Sequence, residues 1–217
     1  MKSVLSTKHL TPDQQALLEA TGLSGESYNA LKISYLQVVV PGVVENAIVT
    51  SQHTVQALIN NQIQIKHCFC VGRKTAAMLR DHGYRVVETT DYGKELAQLL
   101  VDRYPQRHFT FFCGSLRLDT IPDVLQSQGV SWEEIKMYEV NLVPKKIGRT
   151  FDGIMFFSPS GVESYMLENT IGTAVAFCIG DTTAEAVKPY THRIVVAHPP
   201  TVEDVILQVI EYFKNNP

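Results

Sequence analysis

Residues 69–76 read FCVGRKTA and residues 177–184 read FCIGDTTA, so one block occurs twice, with a shift of 108 from Gly72 to Gly180. A second block lies upstream at a shift of 107, VTSQHTV at 49–55 and FFSPSGV at 156–162. Several blocks that keep one order and nearly one spacing predict that the chain contains two copies of a unit of about 105 residues.

Each copy alternates short apolar runs with helix signals. The first helix is predicted by Thr11 as N-cap, by Pro12 in the first turn and by Gln14 three residues after the cap. Runs rich in β-branched residues at 33–40 and 135–143 each precede a proline and predict strands. Strands and helices in alternation predict an α/β fold with parallel sheets that are covered by helices on both faces.

The composition is that of a globular protein. Of the 217 residues, 45% are hydrophobic and 19% are charged, and 19 Lys and Arg face 22 Asp and Glu, for a net charge of −3. This composition excludes a disordered chain. A slightly acidic chain without a run of Lys or Arg is not typical of nucleic-acid binding, so we expect no such partner.

The sequence also predicts the cellular location of the protein and the chemical state of its cysteines. No apolar stretch approaches the ~18 residues that span a membrane, and Lys8 and His9 interrupt the first apolar run, so we expect a cytoplasmic protein without a membrane partner. The four cysteines contain no C-x-x-C pair and are interpreted as small reduced hydrophobes rather than as disulfides or metal ligands. They are Cys68, Cys70, Cys113 and Cys178.

The repeated Gly block is a candidate anion site. In parallel sheets, ligands bind where the strands end and helices begin, and the N–H groups at a helix start attract anions. Gly72 with Thr75, and Gly180 with Thr183, fit such a turn. The alternative is that both threonines only cap their helices.

The repeated Ser block allows the same two interpretations. Ser51, and Ser158 with Ser160 and Gly161, offer hydroxyl and N–H groups to a ligand, or the serines are helix caps with a tight turn. Nearby, His53 is interpreted as a surface or cap residue rather than as a catalyst, because the sequence places no Asp or Cys partner beside it.

The order of these blocks resembles the uroporphyrinogen-III synthase family over essentially the whole chain. The most specific parts are FFSPSGV at 156–162 and IGDTTA at 179–184. Two positions depart from the usual family pattern. Asp181 stands where proline is common, which puts a carboxylate beside the anion pocket, and Lys8 stands where arginine is often found.

The resemblance implies two α/β lobes that are joined by a two-stranded ladder, with the active site in the cleft between them. The first lobe would be residues 1–37 plus 142–217, and the second would be 38–141. The ladder strands would carry Tyr35 and Tyr138, each of which lies six residues before a proline. The internal repeat alone would instead place a boundary near residue 106.

The activity implied by the resemblance is the closure of hydroxymethylbilane to uroporphyrinogen III, with inversion of ring D, loss of water and no cofactor or metal. Tyr138 is then the candidate general acid, and the alternative is a tyrosine that fills the ladder. Lys8 and Arg117 are candidate charge partners, with surface salt bridges as their alternative. The substrate-binding residues carried over are Ser51, Gly72, Thr75, Ser158, Ser160, Gly161, Thr182 and Thr183.

A second hypothesis is a non-catalytic, two-lobed cytoplasmic sensor that closes on an anionic small molecule. For the enzyme hypothesis we expect a monomer whose partner is a linear tetrapyrrole substrate. We also expect transient contact with the upstream enzyme that supplies it.

Overall fold

The computed structural model describes residues 1–216, in which strands and helices alternate as predicted. The strands are β1 (Ser3–Ser6), β2 (Ser24–Ser27), β3 (Leu31–Tyr35), β4 (Val44–Val49), β5 (Ile65–Val71), β6 (Val86–Thr90), β7 (Phe109–Gly114), β8 (Trp132–Leu142), β9 (Gly153–Phe156), β10 (Val175–Cys178) and β11 (Ile194–Val196). The helices are α1 (Pro12–Glu19), α2 (Gln52–Asn60), α3 (Arg73–Asp81), α4 (Gly93–Arg103), α5 (Thr120–Ser127), α6 (Pro159–Met166), α7 (Asp181–Val187) and α8 (Val202–Asn215).

The described residues divide into two units. Unit 1 contains Met1–Lys32 and the chain from Asn141 onward, and unit 2 contains Ile33–Val140. The chain therefore passes from one unit to the other within β3 and again within β8. Residue 106, where the repeat alone would place a boundary, lies between α4 and β7 inside unit 2. A cut there would separate strands that belong to one sheet.

The sheet of unit 2 has the order β3-β8-β7-β4-β5-β6. The strands from β8 to β6 run parallel. Alternate residues of β4 pack on opposite faces. Val49 packs in a core with Leu58 of α2 and Leu79 of α3, and Ile48 packs in another with Leu100 of α4 and Leu125 of α5. Helices therefore cover both faces, as the apolar strands predict.

The sheet of unit 1 has the order β11-β10-β9-β1-β2, with all strands parallel. One of its cores joins Leu5 of β1 to helices α6 and α7. The other joins Val4 of β1 to α1 and α8. The N-terminus of α1 carries the predicted capping box, in which the side chains of Thr11 and Gln14 each bond the backbone of the other residue.

The internal repeat corresponds to a repeated structure. The order β4-α2-β5-α3-β6 in unit 2 matches β9-α6-β10-α7-β11 in unit 1. In both series the first helix has a serine N-cap, Ser51 or Ser158, and the second has a glycine N-cap, Gly72 or Gly180. The similar blocks thus occupy equivalent strand-to-helix turns.

The strand predicted over 33–40 is wrong in length, because β3 ends at Tyr35. Beyond that residue the side chain of Asn61 replaces a neighbouring strand. Its Oδ1 accepts the Val38 N–H at 2.8 Å, and its Nδ2 donates to the Leu36 carbonyl oxygen at 3.0 Å. A side-chain amide that satisfies the backbone in this way ends the ladder without leaving buried polar groups unpaired.

Candidate functional site

Unit 2 has a topological switch point between β4 and β7. The chain runs from β4 to β5 and β6 on one side, and then crosses to β7 on the other side of β4. The connections after β4 and β7 therefore diverge, and open α/β sheets bind ligands in the crevice that this divergence leaves. Thr50 and Ser51 follow β4 at this point, and Gly114 ends β7.

The hydroxyl of Ser51 is the polar centre of the switch point. Its Oγ accepts the backbone N–H of His53 at 3.1 Å and the phenol O–H of Tyr138 at 3.1 Å. A serine hydroxyl has two acceptor lone pairs and one hydrogen. Because both lone pairs are occupied, Ser51 can act towards a third group only as a hydrogen-bond donor.

Tyr138 is held tightly between β8 and β7. Its side chain is buried, with 8% of the residue exposed. The ring lies over Gly114, where a Cβ atom would come within 2.4 Å of Tyr138 Cε2 and Cζ and within 2.8 Å of the hydroxyl oxygen. The absence of a side chain at Gly114 is what lets the phenol reach Ser51.

A cavity of about 500 Å³ opens at this switch point. Ser51 and Tyr138 supply polar groups to its wall, and Val71, Phe111 and Ile121 supply apolar surface. A mainly apolar cavity with a few convergent polar groups is the usual form of a small-molecule site.

Tyr35 and His53 form a cluster with Tyr138. The hydroxyl of Tyr35 lies 3.0 Å from His53 Nδ1. The His53 ring lies 5.6 Å from the Tyr138 ring, and the Tyr35 and Tyr138 rings lie 6.4 Å apart, edge to face. The resemblance implies that the two tyrosines lie on the two strands of one ladder, and β3 and β8 are neighbours in the sheet. Nothing in the sequence placed His53 beside them.

The glycine turn in unit 2 leaves its helix without a side-chain cap. Gly72 is the N-cap of α3, with a φ of 88° that favours glycine, and the helix has no side-chain cap hydrogen bond. The interpretation of Thr75 as a cap is therefore wrong, because its side chain is buried in that turn instead. The Gly72 turn lies next to the Ser51 turn because β4 pairs with β5. Among the described residues, the cavity wall includes Val71 but neither Gly72 nor Thr75.

Unit 1 brings the hydroxyls of Ser158 and Thr7 close to Gly161 at its own switch point, between β1 and β9. Ser158 caps α6 and accepts the Gly161 N–H at 3.0 Å, as the cap interpretation predicts. A Cβ at Gly161 would lie 3.2 Å from Ser158 Oγ and 3.8 Å from Thr7 Oγ1. Thr7 is itself held by a bond of 2.8 Å from its hydroxyl to the Met155 carbonyl oxygen. Ser160, in the first turn of α6, is half-buried.

The glycine turn of unit 1 differs from its copy. Gly180 is an extended N-cap and α7 has no side-chain cap. Thr183 is buried, so it is not the cap, whereas Thr182 and Asp181 are exposed. Asp181 is the acidic residue of the first turn, where a carboxylate interacts favourably with the helix dipole and competes with an anionic ligand.

The candidate cations differ in their surroundings. Arg117 lines the cavity of unit 2, but its guanidinium bonds the carboxylates of Asp119 and Glu134. These bonds raise the pKa of Arg117 above its usual value, the one to Asp119 most of all. The salt-bridge interpretation of Arg117 is therefore confirmed. Lys8 is exposed after β1.

The four cysteines are free and buried, as the sequence predicts. Burial raises the pKa of the Cys68 and Cys178 thiols to about 12 and that of Cys113 to about 11. Burial also raises the pKa of Cys70. Neutral thiols are poor nucleophiles and poor metal ligands.

Neither a metal cluster nor a membrane-spanning helix is present among the described residues. Within the part of the chain that the structure describes, no group of three or more His, Cys, Asp and Glu residues is placed to hold a metal ion. Among residues 1–216, no helix is both long and apolar enough to cross a membrane.

The structure is similar to two solved proteins over nearly its whole length. One is uroporphyrinogen-III synthetase from Helicobacter pylori, with a TM-score of 0.73, 16% identity and coverage of 98% of this chain and 100% of the other. Another is a mutant uroporphyrinogen III synthase from Thermus thermophilus, with a TM-score of 0.69, 15% identity and full coverage of both chains. At these identities the similarity establishes the fold.

The sequence also matches known proteins directly. The porphyrin biosynthesis protein HemD of Ruminiclostridium josui is 27% identical over 160 residues, which cover 67% of this chain and 32% of the relative. The match thus spans about a third of that longer protein. The model of the family described as uroporphyrinogen-III synthase HemD matches residues 14–206. Because this match covers most of the chain and includes both repeated blocks, the chain belongs to the uroporphyrinogen-III synthase family.

Proposed function

We propose that this protein closes the linear tetrapyrrole hydroxymethylbilane to uroporphyrinogen III, with inversion of ring D and loss of water. The observation that carries the proposal is the buried Tyr138 phenol, which is fixed on Ser51 in the wall of a cavity at the switch point of unit 2. Family membership supports the substrate and the reaction, and the geometry supports Tyr138 as the proton donor of the first step.

The first step removes the terminal hydroxyl of the bilane. In this proposal a phenol proton reaches the hydroxyl oxygen, the carbon–oxygen bond breaks and water leaves. The pyrrole N–H gives up its proton, so that a neutral azafulvene forms and the phenol can be restored. Ring D then attacks to form a spiro intermediate, and fragmentation and recombination invert the ring. A phenol is protonated at neutral pH and suits the role of general acid.

The hydrogen-bond geometry supports two routes for the proton. Tyr138 donates to Ser51, and Ser51 has only its own hydrogen to offer a third group. The leaving hydroxyl therefore takes the Ser51 proton while Ser51 takes the Tyr138 proton, or the phenol turns towards the substrate directly. In both routes the proton lost by the enzyme comes from Tyr138.

The proposed substrate carries eight carboxylates, which need hydrogen-bond donors. The chain that must supply these donors has a net charge of −3. The serine hydroxyls at Ser51 and Ser158 are used to cap their own helices. We therefore assign anion binding mainly to the backbone of the Gly72 turn, where α3 lacks a side-chain cap and its first N–H groups attract negative charge.

Ser51→Ala should weaken both the helix and the catalyst. Loss of the N-cap should lower the free energy of unfolding by about 1 kcal/mol. Loss of the hydroxyl that orients Tyr138 should lower kcat about 10-fold, because the proton donor is no longer held in place. Urea unfolding and steady-state kinetics measure the two effects.

Thr201→Ala is the matched control, since Thr201 caps α8 through a bond of 3.1 Å from the Asp204 N–H. It should lose similar stability and keep kcat. Equal losses of kcat in the two variants would mean that Ser51 acts only through stability.

Asp181→Asn should improve substrate binding. The exposed carboxylate lies in the first turn of α7 and repels an anionic substrate there, so its removal should lower KM about 2- to 5-fold. The effect should shrink as salt concentration rises. Asp13→Asn, which removes the first-turn carboxylate of α1, serves as control. An unchanged KM for Asp181→Asn would show that the α7 turn does not face the substrate.

The activity is tested by incubation with freshly prepared hydroxymethylbilane and separation of the type I and type III products. We expect the type III isomer, formed faster than spontaneous closure. Formation of type I alone at the spontaneous rate would overturn the proposal and favour the non-catalytic sensor of an anionic small molecule.

The same proposal includes the setting of the reaction. The enzyme would be a carbon–oxygen lyase of the hydro-lyase type that needs no cofactor, because proton transfer and substrate orientation suffice for its chemistry. It would act in the cytoplasm as a monomer, where its four free cysteines stay reduced. It would receive its unstable substrate by transient contact with the enzyme that makes it.

A further inference from the structure

The cluster around Tyr138 contains a residue that the proposed mechanism does not use. His53 lies in the first turn of α2, and its backbone N–H and the Tyr138 phenol share Ser51 Oγ as acceptor. Its exposed imidazole also contacts the Tyr138 ring. The same short turn thus fixes both the acceptor of the phenol proton and one side of the phenol ring.

The imidazole is itself held in place. The hydroxyl of Tyr35 lies 3.0 Å from His53 Nδ1, and the Tyr35 ring meets the His53 ring at 6.2 Å and the Tyr138 ring at 6.4 Å. The three rings therefore contact one another in a closed set. Burial, and to a lesser extent Tyr138, raise the pKa of Tyr35, so its phenol stays protonated beside His53 Nδ1.

From this geometry we propose that His53 is a positioning residue for Tyr138. Tyr35 fixes the imidazole through Nδ1, and the imidazole packs against the Tyr138 ring so that its hydroxyl stays on Ser51. Gly114 also lies against this ring. The inference deepens the proposed function, because it concerns the orientation of the proton donor in the same site. Tyr35 acts only through His53.

A double-mutant cycle tests whether Tyr35 acts on Tyr138 through His53. His53→Ala should lower kcat roughly 10-fold and Tyr35→Phe roughly 3-fold, with KM nearly unchanged because neither residue is assigned to substrate binding. The double variant should resemble His53→Ala alone, since Tyr35 has nothing left to orient. His53→Phe, which keeps a ring against Tyr138, should recover most of the loss.

The control is Gln52→Ala, which changes the exposed neighbour of His53 in the same helical turn. It should keep wild-type kcat. If the loss of kcat in the double variant equals the product of the two single losses, Tyr35 does not act through His53. A His53→Ala enzyme with wild-type kcat would overturn the proposal itself.

A spectroscopic measurement separates this inference from the proposed activity. In ¹⁵N spectra of the seven histidines, the signal lost in His53→Ala identifies His53. We expect its Nδ1 signal to move in Tyr35→Phe, because the hydroxyl that lies 3.0 Å from Nδ1 is removed. An Nδ1 signal that does not respond to Tyr35→Phe would refute the hydrogen bond between Tyr35 and His53. If the Nδ1 signal does respond but the wild-type protein forms no type III product, the proposed function is wrong, whereas the positioning of His53 by Tyr35 is confirmed.

Discussion

Tyr138→Phe is expected to lower kcat about 100-fold or more, with KM changed by less than about 3-fold. The variant keeps the ring that packs on Gly114 and removes only the hydroxyl that bonds Ser51. It therefore removes the proton donor and leaves the shape of the cavity almost unchanged. Single-turnover kinetics with hydroxymethylbilane, with the isomers separated, measure the effect on the chemical step.

Tyr84→Phe is the control for the loss of one phenol hydroxyl in unit 2. The Tyr84 hydroxyl donates to the Ile63 carbonyl oxygen at 3.1 Å, as long a bond as that of Tyr138, and lies outside the described cavity wall. It should lose some stability and keep kcat. If Tyr138→Phe also keeps most of its activity, catalysis depends on how the bilane is held, since orientation alone can supply ~7 to 11 kcal/mol of a barrier.

Gly114→Ala is expected to lower kcat as much as Tyr138→Phe does, although Gly114 has no functional group. The new methyl would lie 2.4 Å from two Tyr138 ring atoms, a separation that forces the ring to move. We expect the phenol to leave Ser51 and kcat to fall about 100-fold. Overpacking between β7 and β8 should also lower the free energy of unfolding by about 1 to 3 kcal/mol.

The double variant Gly114→Ala/Tyr138→Phe distinguishes a displaced phenol from general damage. Both changes remove the same hydroxyl from the same place, so the double variant should have the kcat of Tyr138→Phe alone. Gly148→Ala is the control, because a Cβ there meets no atom within 4 Å. A Gly114→Ala protein with wild-type kcat would show that the phenol need not rest on Ser51.

The sequence predicted much of the secondary structure from local rules. The capping box at Thr11 and the serine caps of α2 and α6 are each visible within a few residues, because a cap depends on groups that are close in the chain. The alternative interpretation of Thr75 as a cap is wrong, because Gly72 is the N-cap and Thr75 is buried. Burial depends on distant strands that no short motif records.

The amino-acid sequence by itself determined that the chain contains two similar series of alternating strands and helices, with polar turns after their strands. Repeated blocks and apolar periodicity reveal this because they are properties of the chain alone. Only the tertiary structure decided that Tyr138 reaches Ser51 across 87 residues. It alone placed His53 between two tyrosines and paired Arg117 with carboxylates. Strand order sets these contacts, and strand order depends on the packing of the whole sheet rather than on any local pattern.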